Sequence, residues 1–406
     1  MTRVLGFVMA GGKGERLFPL TRDRSKPAVP FGGKYRIVDF VLSSFVNSGI
    51  RSIYVLVQYK SQSLIEHLRV AWPSTGLTPE HFITLVPPQQ RFVGEALYRG
   101  TADAVSQNLN LVRDLNPDLI AIFGADHIYR MDLRRMVDLH LEKGAEATIA
   151  CIPVPITTAS AFGVAQTEPD GRISAWVEKS SRPPSLPGDP TRAYASMGNY
   201  VFDRKALEQV LFEDCRRSTD HDFGRTIVPE MIPRGRVYAF DFLGAPVEGT
   251  APHEEPGYWR DVGTLESYWS AHMDLLGDTP KFDLSNRRWP IRTDAADLPP
   301  AHFRGCTLED VLIAEGSSIV GARVVRSVVG RGCTIEPGCE IEDSIVMDHT
   351  SFRAGARAKR AIVDRHNEIA AGATLGFDAV ADRRRGYHVD PKSGLVVVQR
   401  GVTRVE

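Results

Sequence analysis

The residues of this chain best suited to chemistry are a glycine-rich run and two widely separated acids. The run is Ala10-Gly11-Gly12-Lys13-Gly14-Glu15-Arg16-Leu17, which closes the apolar stretch at 4–10. Glycines let backbone N–H groups approach an anion closely, and Lys13 and Arg16 can neutralise its charge. The run lacks the Gly-Lys-Ser/Thr ending of a P-loop, and Leu17 stands where a dinucleotide fingerprint needs its third glycine. By itself it suits a phosphate and a plain turn equally. The acids are Asp126 and Asp261, each closing an aliphatic or aromatic run. Two strand-end carboxylates of this kind suit one Mg²⁺, which takes one or two carboxylates plus phosphate oxygens and water. Each also suits a helix cap or a pairing with an arginine such as Arg260.

Rigid elements must hold these residues. Short aliphatic runs at 4–10, 52–59, 118–123 and 147–152 predict buried strands, and 37–48, 61–70, 103–114 and 133–143 carry apolar residues at helical spacing. Such alternation implies βαβ units and a mostly parallel sheet covered on both faces. Ligands of these sheets bind beyond the carboxyl ends of the strands, which points to the loops after Ala10 and Phe123.

Residues 278–300 hold Pro280, Pro290, Pro299 and Pro300 and read as a connector. Beyond it aliphatic residues recur every six positions: Ile313, Ile319, Val325; Val329, Ile335, Ile341, Met347; Val363, Ile369, Leu375. That period fits a β-helix, in which each hexad sends one residue inward and the coils stack. The repeat breaks near 352–358, which predicts a loop or a degenerate coil there. The expected division is 1–277, 278–300 and 301–406, the last with a C-terminal extension.

At 406 residues the chain has room for two domains or more. A net charge of -1 offers no global field for nucleic acid or an anionic membrane, so any phosphate-binding charge must be local. The apolar start is too short to span a bilayer. The five cysteines show no CxxC spacing, which argues against a zinc site or a disulfide framework and for a reducing cytoplasm.

The glycine run continues into Pro19-Leu20-Thr21, Ser25-Lys26-Pro27-Ala28-Val29-Pro30 and Gly32-Gly33-Lys34-Tyr35-Arg36-Ile37-Val38-Asp39. Later stand Pro88-Gln89-Gln90-Arg91, Tyr98-Arg99-Gly100-Thr101, Asp126-His127-Ile128-Tyr129 and Phe162-Gly163-Val164. Val177-Glu178-Lys179, Ser196-Met197-Gly198, His221-Asp222-Phe223-Gly224 and Tyr258-Trp259-Arg260-Asp261 follow. Over essentially its whole length the chain resembles the sugar-nucleotide pyrophosphorylases, and among them the bacterial ADP-glucose pyrophosphorylases. Pattern and resemblance together imply a Rossmann-like α/β nucleotidyltransferase domain followed by a left-handed β-helix of hexapeptide repeats. The resemblance implies ATP and glucose 1-phosphate as substrates and Mg²⁺ as cofactor.

On this resemblance Gly11, Gly12, Gly14 and Arg16 form the nucleotide loop, with Arg16 on the departing pyrophosphate. Gln89 and Gln90 stand in the base-reading loop, and Tyr98 and Gly100 complete the nucleotide pocket. Asp126 and Asp261 hold Mg²⁺. Glu178 takes sugar hydroxyls and Lys179 the sugar phosphate, with Gly163, Ser196 and Gly198 on the same side. Lys26 matches a lysine linked to activator binding and Arg36 lies near it; both equally suit solvent or a substrate phosphate. Members are commonly homotetramers, with phosphorylated sugars or pyruvate as activators and AMP, ADP or phosphate as inhibitors.

Three positions depart from enteric-type members: Gly124-Ala125 before Asp126 exchanges the small residues, Leu97 replaces a tryptophan, and Ser180 replaces a proline. The last two bear on regulation and local backbone rather than on catalysis. A sister enzyme using another nucleotide is opposed by the segments at 88–91 and 98–101. A non-catalytic regulatory subunit is opposed by retention of Arg16, Asp126, Lys179 and Asp261.

Overall fold

The computed structural model describes residues 2–12, 14–73, 81–88 and 97–401. In chain order the first domain holds β1 (Val4–Met9), β2 (Pro30–Phe31), β3 (Tyr35–Arg36), α1 (Ile37–Asn47), β4 (Ser52–Leu56), α2 (Gln62–Ala71) and β5 (Phe82–Val86). Then come α3 (Thr101–Ser106), α4 (Leu109–Leu115), β6 (Leu119–Gly124), β7 (His127–Tyr129), α5 (Leu133–Glu142), β8 (Ala147–Pro155), β9 (Gly163–Thr167) and β10 (Ile173–Glu178). It closes with β11 (Arg192–Asp203), α6 (Arg204–Asp214), α7 (Val228–Met231), β12 (Val237–Asp241), β13 (Trp259–Asp261) and α8 (Leu265–Met273).

The main sheet runs β10-β9-β11-β6-β1-β4-β5, with β8 against β11 and β12 against β8. Strands β6, β1, β4 and β5 are parallel, whereas β11 is antiparallel to both β6 and β8. The strand runs read as continuously apolar because both faces are covered. Leu5 and Phe7 belong to one core with Val105 and Leu207, and Val8 to the other with Phe45 and Met136. Each such side chain contributes roughly 1.5–3 kcal/mol by leaving water. The helix expected at 103–114 is broken into α3 and α4. Asn108 is buried at the break, and its amide donates to Ala104 O (2.8 Å) and Tyr98 Oη (3.1 Å). A side chain that bonds locally in this way competes with helix continuation.

Beyond residue 301 short parallel strands stack in coils. Most partners lie 17 residues apart, as Thr334 with Ser351, Ser351 with Glu368 and Glu340 with Arg357. Inward columns are Ile319-Ile335-Phe352-Ile369, Val324-Ile341-Ala358-Leu375 and Val329-Val346-Val363-Val398. This corrects the strict period of six. At least one side of each coil advances five residues, as from Val324 to Val329 and from Ile341 to Val346. Val324 and Val346 therefore fill the β-helix core, while Met347 packs toward the first domain. The expected break at 352–358 is not there: Phe352, Ala356 and Ala358 are all buried in regular coils.

The domains meet over a shared apolar cluster that includes Ile37, Phe40 and Tyr268 with Ile345, Ile362 and Val397. Around it Arg24 pairs with Asp364, both buried, and Arg36 with Asp348 at 3.3 Å. Residues 278–300 contain no helix or strand. Their Thr293 Oγ1 donates to Asp39 (2.8 Å) and their Asp294 pairs with Arg331 (2.7 Å). No helix among the described residues is long and apolar enough to cross a membrane.

Candidate active site

The carboxyl ends of β1 and β6 open onto one cavity of about 1050 Å³. From β1 come Gly11, Gly12 and Gly14, followed by Arg16 on a short helical turn, Glu15–Leu17. Thr21 Oγ1 donates to Gly14 O at 2.9 Å and fixes the far end of the loop. Arg16 stands at the rim with its side chain 73% exposed, and its nearest acid is Asp261 at 3.8 Å.

The two acids meet through a ribbon. Strands β7 and β13 pair antiparallel with Asp261 opposite His127, so Asp261 falls beside Asp126 despite their separation in the chain. One ligand atom from each of Asp126, His127 and Asp261 lies within 4.8 Å of the others. Strand alternation sends Arg260 away from this trio, to Glu255 and to Asp274 (3.0 Å), so Arg260 does not engage Asp261. Lys26 reaches the same pair from the turn at 26–28. Its Nζ donates to Asp261 Oδ1 at 2.9 Å and to Asp126 Oδ2 at 3.2 Å. Burial pushes the Asp126 carboxyl up, but His127 and the Lys26 ammonium outweigh it and hold the group well below the usual carboxylate range. Burial likewise opposes the Lys26 charge, and the two aspartates more than restore it, raising its pKa.

The sugar-side residues line the other half. Glu178 ends β10 between two glycines: a Cβ on Gly163 would fall 2.5 Å from Glu178 Oε2, and one on Gly224 2.7 Å. Only glycine leaves that carboxylate its place. Burial raises the Glu178 pKa, with Lys179 opposing. Lys179 projects 57% exposed, 3.9 Å from Glu178. Gly198 takes φ +71 where the register of β11 on β8 shifts, and its N–H donates to Ser196 Oγ at 3.1 Å.

The cavity thus gathers Gly11, Gly12, Gly14, Arg16, Tyr98 and Gly100 with Asp126, Asp261, Gly163, Glu178, Lys179, Ser196 and Gly198. Gln89 and Gln90 lie outside the described residues. Lys26, read from sequence with Arg36 as an activator contact, lies in the cavity on the acid pair, whereas Arg36 lies between the domains on Asp348. The two are separated because Lys26 sits on a helical turn, Lys26–Ala28, whose side chain points at the ribbon. Sequence reasoning assigned no role to Trp176, Tyr200, Asp222, Phe223 and Trp259, which also line the cavity. The His221-Asp222-Phe223-Gly224 string was the available signal, and nothing in it says which half of a cavity it faces.

Residues 5–277 match the nucleotidyl transferase family model, and residues 299–398 match the model of a GlmU-like C-terminal hexapeptide domain. The latter identifies the stacked coils as a left-handed β-helix. The chain is 47% identical to a glucose-1-phosphate adenylyltransferase of Thermodesulfovibrio yellowstonii, over 98% of this chain and 97% of that one. It is 46% identical to one from Frankia casuarinae (99% and 98% covered) and 45% to one from Anaeromyxobacter sp. (100% of each).

Proposed function

The chain belongs to the glucose-1-phosphate adenylyltransferase family, and on that premise we propose that its cavity joins the adenylyl group of ATP to glucose 1-phosphate, giving ADP-glucose and pyrophosphate. The observation that carries this reading is the β7–β13 ribbon. It brings Asp261 beside Asp126, where Lys26 bonds to both, in the cavity that the glycine loop and Glu178-Lys179 also line. That is the layout needed to bring two phosphate-bearing molecules together.

The second pKa of a sugar phosphate is about 6, so glucose 1-phosphate is largely dianionic near pH 7 and needs no general base. A phosphate oxygen attacks the α-phosphorus of ATP in line, that P–O bond forms, and the bond to pyrophosphate breaks with its electron pair on the leaving group. The chain's task is to hold two mutually repelling anions and to neutralise developing charge. Lys179 meets the sugar phosphate, Glu178 accepts from glucose hydroxyls, and the loop N–H groups with Arg16 receive the departing pyrophosphate. Lys26, bonded to both carboxylates, offsets one of their two charges. Asp126 and Asp261 supply hard oxygen donors that fit Mg²⁺, which when bound neutralises phosphate charge.

The reading extends to a cytoplasmic homotetramer regulated by phosphorylated sugars or pyruvate and by AMP, ADP or phosphate. For the regulation alone, the observation behind it is the group of arginines between the domains, where Arg24 Nη1 and Arg365 Nε are buried without a hydrogen bond among the described residues, Arg365 facing Asp348 only across 3.4 Å. Pyrophosphate release with glucose 1-phosphate and Mg²⁺ tests the assignment, comparing ATP with UTP, dTTP and GTP. Turnover with ATP above the others is expected; preference for another nucleotide would move the chain to a sister activity.

A further inference from the structure

The two halves of the cavity are built on separate stretches of chain, which meet at the Thr101 hydroxyl and at the His221 carbonyl. On the nucleotide side Tyr98 and Gly100 lead into α3, whose first residue is Thr101. On the sugar side Asp222 and Phe223 begin the turn that carries Gly224 against Glu178. Thr101 Oγ1 accepts from Phe223 N at 3.0 Å and donates to Asp222 Oδ2 at 3.0 Å. The other Asp222 oxygen accepts from Gly224 N (3.0 Å) and Arg225 N (3.1 Å), so the carboxylate that Thr101 holds also caps the sugar-side turn.

The surrounding backbone is fitted to this contact. Ala102 N donates to His221 O at 2.8 Å. A Cβ on Gly100 would fall 2.3 Å from that same oxygen, so only glycine lets the two stretches come this close. His221 is held in the left-handed region (φ +49), with its ring 2.7 Å from buried Asp214. The sugar-side stretch is thus anchored from behind and presents Asp222 and Phe223 forward.

We infer that Thr101 is a positioning residue whose hydroxyl couples the nucleotide and sugar halves, so that occupancy of one tightens the other. The inference rests on the adenylyltransferase reading. A ligand that orders the Tyr98–Thr101 stretch fixes Asp222 and the Phe223 N–H, and through Gly224 it fixes the wall behind Glu178. By linkage the effect is reciprocal.

The test is calorimetric binding of glucose 1-phosphate, with Mg²⁺, in the presence and absence of α,β-methylene-ATP, which cannot transfer its adenylyl group. The full-length chain is compared with Thr101→Ser and Thr101→Val. The unaltered chain and Thr101→Ser are expected to bind glucose 1-phosphate at least about fivefold more tightly with the analogue present, and Thr101→Val less than about twofold. Affinity for each ligand alone changes less than the coupling does, a separation that a merely structural role does not produce. Coupling retained in Thr101→Val, or lost equally in Thr101→Ser, overturns the role of the hydroxyl. So does an unaltered chain that binds both ligands without coupling. An unaltered chain that binds neither ligand overturns the adenylyltransferase reading itself.

Discussion

The cavity and the domain interface both concentrate charge, and they dispose of it in opposite ways. Between the domains nearly every cation is closed on an acid: Arg24 on Asp364, Arg331 on Asp294 and Glu315, Arg36 and Arg365 on Asp348. In the cavity one ammonium, Lys26, serves two carboxylates, while Arg16 and Lys179 project largely exposed with no acid nearer than 3.8 Å among the described residues. Desolvated charge is tolerable only when it is compensated. The interface compensates within the chain and becomes part of the fold. On the adenylyltransferase reading, the cavity leaves Arg16, Lys179 and one net carboxylate charge to phosphate and a divalent ion. Variants should therefore separate cleanly, the interface acting on stability and the cavity on turnover.

The largest effect is expected at the interface. Arg24→Met leaves Asp364 buried and unpaired, which costs about 3–5 kcal/mol, read as a lower urea midpoint. Turnover measured well below that midpoint stays near that of the unaltered chain. In the cavity Asp126→Asn is expected to lower the rate of pyrophosphate release by about 10²–10³ while the melting curve stays in place. A melting shift comparable to that of Arg24→Met would show that the acid pair serves the fold as well.

Two smaller effects sharpen the contrast. Ile341→Val removes one methylene from a β-helix column and should cost about 0.5–1.5 kcal/mol with no change in turnover. The interface should also respond to acid. Burial pushes the Asp348 carboxyl up, but Arg36, Arg365 and Arg331 outweigh it and hold its pKa below the ordinary value. A depressed folded-state pKa gives stability that is present above the unfolded value, about 3.9, and is lost as pH falls through the folded one. Urea midpoints of the unaltered chain should thus decline below about pH 4, and Asp348→Asn should flatten that decline.

Much of this division is legible in the sequence. The glycine loop, the two acids and the Glu178-Lys179 pair are short strings that the family resemblance picks out, and they face one cavity. What sequence could not carry was register. Asp261 reaches Asp126 only because β13 pairs with β7 at His127, and no local pattern encodes that pairing. Lys26 and Arg36 share one string but go to different regions, because the turn at Lys26 and the ribbon of β2 and β3 separate their side chains. In the second domain the period was visible but its phase was not. A five-residue side in each coil hides a regular repeat behind an apparent break at Phe352. Thr101 and Asp222 went unread because their meaning lies in a contact between distant segments.

If charge in the cavity works on ligands while charge at the interface holds the domains together, Asp261→Asn and Asp364→Asn must fail in different ways when pyrophosphate release from ATP and glucose 1-phosphate is measured together with thermal unfolding. Asp261→Asn is expected to lose about 10²-fold or more in turnover and to melt with the unaltered chain. Asp364→Asn is expected to melt several degrees lower and to turn over normally below its transition. An Asp261→Asn chain that keeps its turnover, or an Asp364→Asn chain that melts unchanged, would contradict that division.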